Sequence, residues 1–179
     1  MNNVDLPEMM RFVEQAVADP TVLKKRKRVE GVWDFEDGHP QFKATVAYPK
    51  GEHTIEADLA PFMGGAGLAP DPIQYCLYGL AACFAGTFAS LAAADGVVLK
   101  SLRVIAENQV DLTRPMGLGD KPVVERVSLT VVAESDATDA KLKDLEHLAR
   151  DRCPGVYCLT QPIPLETRVE RPSSTQKQR

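Results

Sequence analysis

The sequence predicts an α+β fold, and three observations carry that prediction. Between Arg28 and Asp58, short stretches of alternating apolar residues are separated by turn residues, the pattern of an antiparallel meander. From Pro72 to Ala94 runs an uncharged stretch, PIQYCLYGLAACFAGTFASLAAA, too long and too rich in alanine for a strand. Beyond it two further alternating stretches lead into a segment of helical spacing, so strands and helices are segregated along the chain and do not interleave as βαβ units.

Pro7 to Ala18 places Met10, Phe12, Val13 and Val17 near helical spacing and ends at Asp19-Pro20, giving an N-terminal helical extension over residues 1–26. Arg28 to Phe35 reads as a strand, residues 36–40 as a turn, and Phe42, Ala44, Val46 and Tyr48 as a returning strand. After a second turn at residues 49–52, His53 to Asp58 makes a third strand. Leu59 to Pro70 (LAPFMGGAGLAP) is too rich in Gly and Pro for regular structure.

The central helix opens with Asp71 as N-cap and Pro72 in the first turn, and Gly96 stops it after Asp95. At 1.5 Å per residue it is about 36 Å long. Its apolar circumference predicts cover on most sides. Membrane spanning is not expected, because Asp71 and Asp95 flank the run and Gln74, Cys76, Thr87 and Ser90 interrupt it.

Val97 to Leu112 and Pro122 to Ala133 form a hairpin around an exposed loop at Thr113 to Lys121. Thr138 caps a second amphipathic helix with Leu142, Leu145, Leu148 and Ala149 on one stripe, stopped at Cys153 by Pro154. Gly155 to Cys158 reads as a short connection, and Ile163, Leu165 and Val169 as a last strand. Residues 171–179 form a polar tail expected to fray.

A chain of 179 residues fits one domain over residues 1–179 with a real core. A net charge of -4 argues against nucleic acid as partner, and the short basic block Lys24 to Arg28 reads as a solvated approach to the first strand. The first residues carry neither a basic nor an apolar leader pattern, which makes the cytoplasm the expected compartment and keeps resting thiols reduced.

Four cysteines, Cys76, Cys83, Cys153 and Cys158, are the residues with chemistry to explain. Neither near pair has the short spacing of a structural zinc knuckle, and Cys76 and Cys83 lie roughly 10 Å apart along a helix, so no metal or cofactor is expected. The alternative is redox chemistry, in which a thiolate attacks a peroxide oxygen and the resulting sulfenic acid is captured by a second thiol. Cys83 sits mid-helix, where its own helix dipole helps little, so an attacking Cys83 needs a cation or donors from another element. Cys153, at a helix C-terminus with Arg150 and Arg152 nearby, suits the resolving partner better. A cysteine in an apolar helix also serves simply as a small buried hydrophobe, and the residues alone leave both readings open.

The segment GGAGLAPDPIQYCLYGLAACF, with a Gly-rich loop leading through a proline into a long helix bearing A-x-C, resembles the OsmC/Ohr family of osmotically inducible and organic hydroperoxide resistance proteins. The Cys-Pro of Arg152-Cys153-Pro154-Gly155 matches that family's second signature, and the resemblance runs from about Arg28 to Glu170. It implies an OsmC-like fold with antiparallel sheets around a long buried central helix, in an intertwined homodimer. It further implies a thiol-dependent peroxidase that reduces organic hydroperoxides at the dimer interface, with Cys83 peroxidatic and Cys153 resolving, recycled by a dithiol or a lipoylated protein.

The chain departs from the family's peroxidases at the first helical turn, where Ile73 stands in place of a glutamate that holds the activating arginine, followed by Gln74. Gln74 is a candidate substrate-pocket residue, with a role in the capping turn as its alternative. The early arginine is also missing from Asp37-Gly38-His39-Pro40, leaving Arg26, Arg28, His39 and Arg152 as candidate replacements. His53 and His147 read as surface residues. Cys76 and Cys158 have no family counterpart and read as core thiols or, alternatively, as an accessory pair. The rival function is a divergent member without peroxide turnover that binds an apolar small molecule in the dimer cleft.

Overall fold

The computed structural model describes residues 1–171, so the expected frayed tail falls outside the described residues except for Arg171. Helix α1 spans Leu6–Ala18, with the Asp5 side chain accepting the Glu8 N–H at its start. Three strands follow, β1 (Gly31–Trp33), β2 (Phe42–Tyr48) and β3 (Gly51–Ala57), paired antiparallel in that order. The long helix α2 covers Pro72–Ala94, and β4 (Leu99–Val110) pairs antiparallel with β5 (Val124–Ser135) in a separate two-stranded sheet. Helices α3 (Asp139–Arg152) and α4 (Pro154–Thr160) close the fold.

The α+β prediction and the order of the main elements hold, with three corrections. The first strand shrinks from Arg28–Phe35 to Gly31–Trp33, where Gly31 lets the Phe42 ring lie against the backbone: a Cβ there would come within 2.3 Å of Phe42 Cζ. Gly155 to Cys158 belongs to a helix and not to a connection, because the proline that ends α3 also suits the first position of α4. Ile163, Leu165 and Val169 are exposed and lie outside any strand. Their alternation specifies a face to bury, but among the described residues no sheet edge receives them.

The core is built on one side of α2. Phe84, Phe88 and Ala92 pack with Leu145 and Ala149 of α3 and with Cys153, under Leu102 and Val104 of β4 and Leu129 and Val131 of β5. Each of the two phenylalanines is 1% exposed. The other side of α2 is bare: Ile73 and Tyr78 are exposed, and nothing lies within 4 Å of the position a Cβ would take at Gly79 or Gly86. By length and composition α2 is long and apolar enough to cross a membrane, yet its phenylalanine side is packed against four other elements or their joints.

The loop from Leu59 to Pro70 is tied down by Asp58, a buried carboxylate at the end of β3. Its Oδ2 accepts the N–H of Leu68 at 2.8 Å and of Ala66 at 3.1 Å. The Leu68 bond holds the carboxyl below its ordinary value against the opposing effect of burial. Gly65 passes so close to the chain that a Cβ would fall 1.9 Å from the Leu59 carbonyl oxygen, which excludes any other residue there. The loop thereby delivers the chain to α2 in a fixed direction.

Replacing Phe84 by alanine is expected to cost about 3–5 kcal/mol, read from urea unfolding, since it empties the centre of the core. A loss under 1 kcal/mol would mean that α2 is not the core element described. Because the folded carboxyl of Asp58 titrates below 3.8, its contribution is full above that value and disappears as the pH falls through the lowered folded value. Protection of the Ala66 and Leu68 amides, measured against their intrinsic exchange rates, should therefore fall on acidification, and Asp58→Ala should show the reduced protection at neutral pH.

Candidate functional site

Cys83 lies midway along α2 on the face that meets α4. Its Sγ accepts the Gly155 N–H at 3.4 Å, a donor in the first turn of α4 that has no intrahelical partner. Gly155 is the residue that permits this approach, since a Cβ in its place would lie 3.2 Å from Cys83 Cβ and 3.5 Å from Sγ. Cys153 is 1% exposed and belongs to the buried cluster against which Cys83 packs. The fold thus brings together the two sequence-predicted thiols from opposite ends of the molecule's topology.

The electrostatics oppose easy ionisation. Burial pushes the Cys83 thiol above its ordinary value, the Gly155 N–H pulls it back, and the thiols of Cys153 and Cys158 raise it further. None of these influences is a cation. Of the four candidate cations, Arg28 pairs with Glu30, and His39 sits 3.6 Å from both Asp34 and Glu36. Arg26 and Arg152 are exposed. His53 and His147 are surface residues, as the sequence predicts.

Gln74 completes a capping box at the start of α2, its Oε1 accepting the Asp71 N–H at 2.9 Å while Asp71 accepts the Ile73 N–H. It precedes Cys83 by more than two helical turns, about 13 Å along the axis. Its side-chain oxygen therefore has a structural task away from the thiols. Cys76 and Cys158 are both exposed, which corrects the expectation of core thiols: the apolar stretch that contains Cys76 is bare on that side, and α4 is a surface helix.

Sequence reasoning missed two features. The amide of Gly155 escaped because the segment after Pro154 read as a connection. A cavity of about 320 Å³ also opens between α2 and α4, lined by Leu80 and Phe84 of α2, Val156 and Leu159 of α4, Arg150 of α3 and Val127 of β5, with neither thiol in its wall. Its walls come from α2, β5, α3 and α4, and the helical character of α4 was the missing signal. Its lining mixes apolar side chains with Glu146, Arg150, Ser128 and Thr160, which suits a small ligand with both an apolar part and a polar group.

The fold and the paired thiols define a class of α+β protein with a cysteine held in a long central helix. The OsmC-like protein family model matches residues 64–168, more than half of the chain, and the chain belongs to that family. Among solved structures, an OsmC-like protein from Mycoplasma pneumoniae superposes with a TM-score of 0.57 at 18% identity, over 76% of this chain and 88% of that one. An organic hydroperoxide resistance protein OsmC from Legionella pneumophila gives a TM-score of 0.53 at 17% identity, over 76% and 92% of the two chains. A Vibrio cholerae protein assigned to organic hydroperoxide resistance, with captopril bound in one of its active sites, gives 0.53 at 21% identity, over 77% and 88%. These likenesses show a shared fold. A search of curated proteins gives no match.

With burial dominating, alkylation of Cys83 by iodoacetamide is expected to be slow at neutral pH and to climb with pH beyond the ordinary thiol value of 9.0. Mass spectrometry of the Cys83 peptide across a pH series reads this directly. A rate already on its plateau at pH 7 would mean that a cation acts on the thiol in solution.

Proposed function

We propose that this chain is a thiol-dependent peroxidase for organic hydroperoxides, with Cys83 attacking and Cys153 resolving. The observation that carries this reading is the packing of Cys83 against the buried cluster that holds Cys153, with the Gly155 N–H directed at the Cys83 sulfur. The Cys83 thiolate attacks one peroxide oxygen, the O–O bond breaks, and the alcohol leaves with a proton. Cys153 then attacks the sulfenic sulfur, water leaves, and a Cys83–Cys153 disulfide remains for a dithiol or a lipoylated protein to reduce. The Gly155 N–H favours the charged form of Cys83 at the moment of attack.

The working form in this reading is a homodimer in the cytoplasm. The bare side of α2, with Ile73 and Tyr78, and the exposed aromatic residues Trp33, Phe35 and Phe42 near the first sheet are apolar surface that a second copy would cover. Assembly is also the step at which a cation can reach Cys83, a requirement that Ile73 leaves unmet within one chain. Light scattering is expected to give about twice 19.6 kDa. A single species near 20 kDa would contradict the dimer.

The suppressed ionisation of the Cys83 thiol favours a second reading, an OsmC-like protein that binds an apolar small molecule in its cleft without turnover. Hydroperoxide consumption separates the two. In the peroxidase reading, cumene hydroperoxide yields a Cys83–Cys153 disulfide in a peptide map, Cys83→Ser falls to the background rate, and Cys153→Ser stops after one oxidation. Consumption by Cys83→Ser at the wild-type rate would sink the peroxidase. A co-purifying apolar ligand with no consumption would establish the binding reading.

A further inference from the structure

We propose that Cys158 is a third redox thiol of this site, exchanging with the Cys83–Cys153 disulfide and carrying the oxidised bond to the molecular surface. The proposal deepens the peroxidase reading and rests on it. It starts from the order in which α2, α4 and the joint before α4 expose their sulfurs: Cys153 is buried, Cys83 is half-buried and Cys158 is exposed. A disulfide between the first two offers an external dithiol little access.

The packing of α4 on α2 supplies the route. Gly155 and Cys158 are three residues apart on α4 and share a face, and Gly155 is the point at which that face touches Cys83. Cys158 therefore stands one helical turn from the contact, about 5 Å along the axis. A charge on Cys158 is felt at Cys83, in keeping with that proximity.

Geometry also decides which sulfur Cys158 attacks. Cys153 and Cys158 are separated by about 7.5 Å along the axis of one helical segment, outside the span of about 4.4–6.8 Å that a disulfide accepts between Cα atoms, unless α4 unwinds. Cys76 is excluded as a partner of Cys83 by the same measure, two turns away on a continuous helix. The exchange is then a single displacement. The Cys158 thiolate attacks Cys83 Sγ, the Cys83–Cys158 bond forms as the Cys83–Cys153 bond breaks, and the electron pair leaves on Cys153, which takes up the proton that Cys158 released. No net oxidation occurs in this step. The external dithiol then attacks the exposed Cys158 sulfur and supplies the two electrons that return both thiols.

The test uses the full-length protein oxidised in two ways, with cumene hydroperoxide and with diamide, a thiol oxidant that needs no peroxidase chemistry. Acid quenching, alkylation and peptide mapping should reveal a Cys83–Cys158 linkage beside Cys83–Cys153. Reduction of the oxidised protein by dihydrolipoamide should slow about tenfold in Cys158→Ser, with Cys158→Ala as a second variant. No Cys83–Cys158 peptide under either oxidant, or unchanged reduction in both variants, overturns the relay. If diamide produces the linkage while hydroperoxide oxidises nothing, the relay stands and the peroxidase reading falls.

Discussion

A helix that is apolar around its circumference needs cover, and the elements that supply it gather on the phenylalanine side of α2 and leave the side of Ile73 and Tyr78 open, against the expectation of cover on most sides. Phe84 and Phe88 each contribute on the order of 1.5–3 kcal/mol by burial against β4, β5 and α3, and those two side chains decide where the hairpin and the amphipathic helix dock. The same constraint explains the shape of the entrance. The loop held by Asp58 and threaded past Gly65 fixes the angle at which the chain enters α2, so the helix begins in register with its core.

Placing a thiol in such a helix creates a conflict between packing and reactivity. The apolar surroundings that stabilise α2 disfavour the thiolate at Cys83, and a relative of the family's peroxidases with Ile73 in the first turn has no carboxylate there to recruit a cation. The partial answer within the chain is a backbone one. Pro154 starts a helix whose second residue lacks a side chain, so an amide N–H reaches the sulfur. This donor is a main-chain group whose approach requires glycine at position 155, where a Cβ would crowd Cys83.

Much of the fold was legible because it rests on local signals that agree with one another. Asp71, Pro72 and Gly96 bracket α2, Thr138 opens α3, and alternation marks β2, β4 and β5. The Cys83 and Cys153 pair was legible through the A-x-C and Cys-Pro patterns. What escaped was set by tertiary context. Pro154 reads equally as a stop and as a start, so α4, the Gly155 donor and the cavity behind Leu159 stayed hidden. Cys76 reads as core because its neighbours are apolar, yet exposure depends on what lies opposite, and among the described residues Cys76 is left exposed. Ile163, Leu165 and Val169 carry a strand pattern whose pairing edge no periodicity can supply.

Cys153 ends α3 and begins α4, and it does both with its backbone: its N–H bonds to Ala149, while its side chain makes no capping hydrogen bond to either helix. Residues at such junctions commonly use a side-chain oxygen to secure a helix end, and a change in that side chain then frays the terminus. Here the sulfur is mechanically idle. A change in its bonding leaves the Cys153 N–H on Ala149 and removes no side-chain cap, so the joint between α3 and α4 is held by main chain alone.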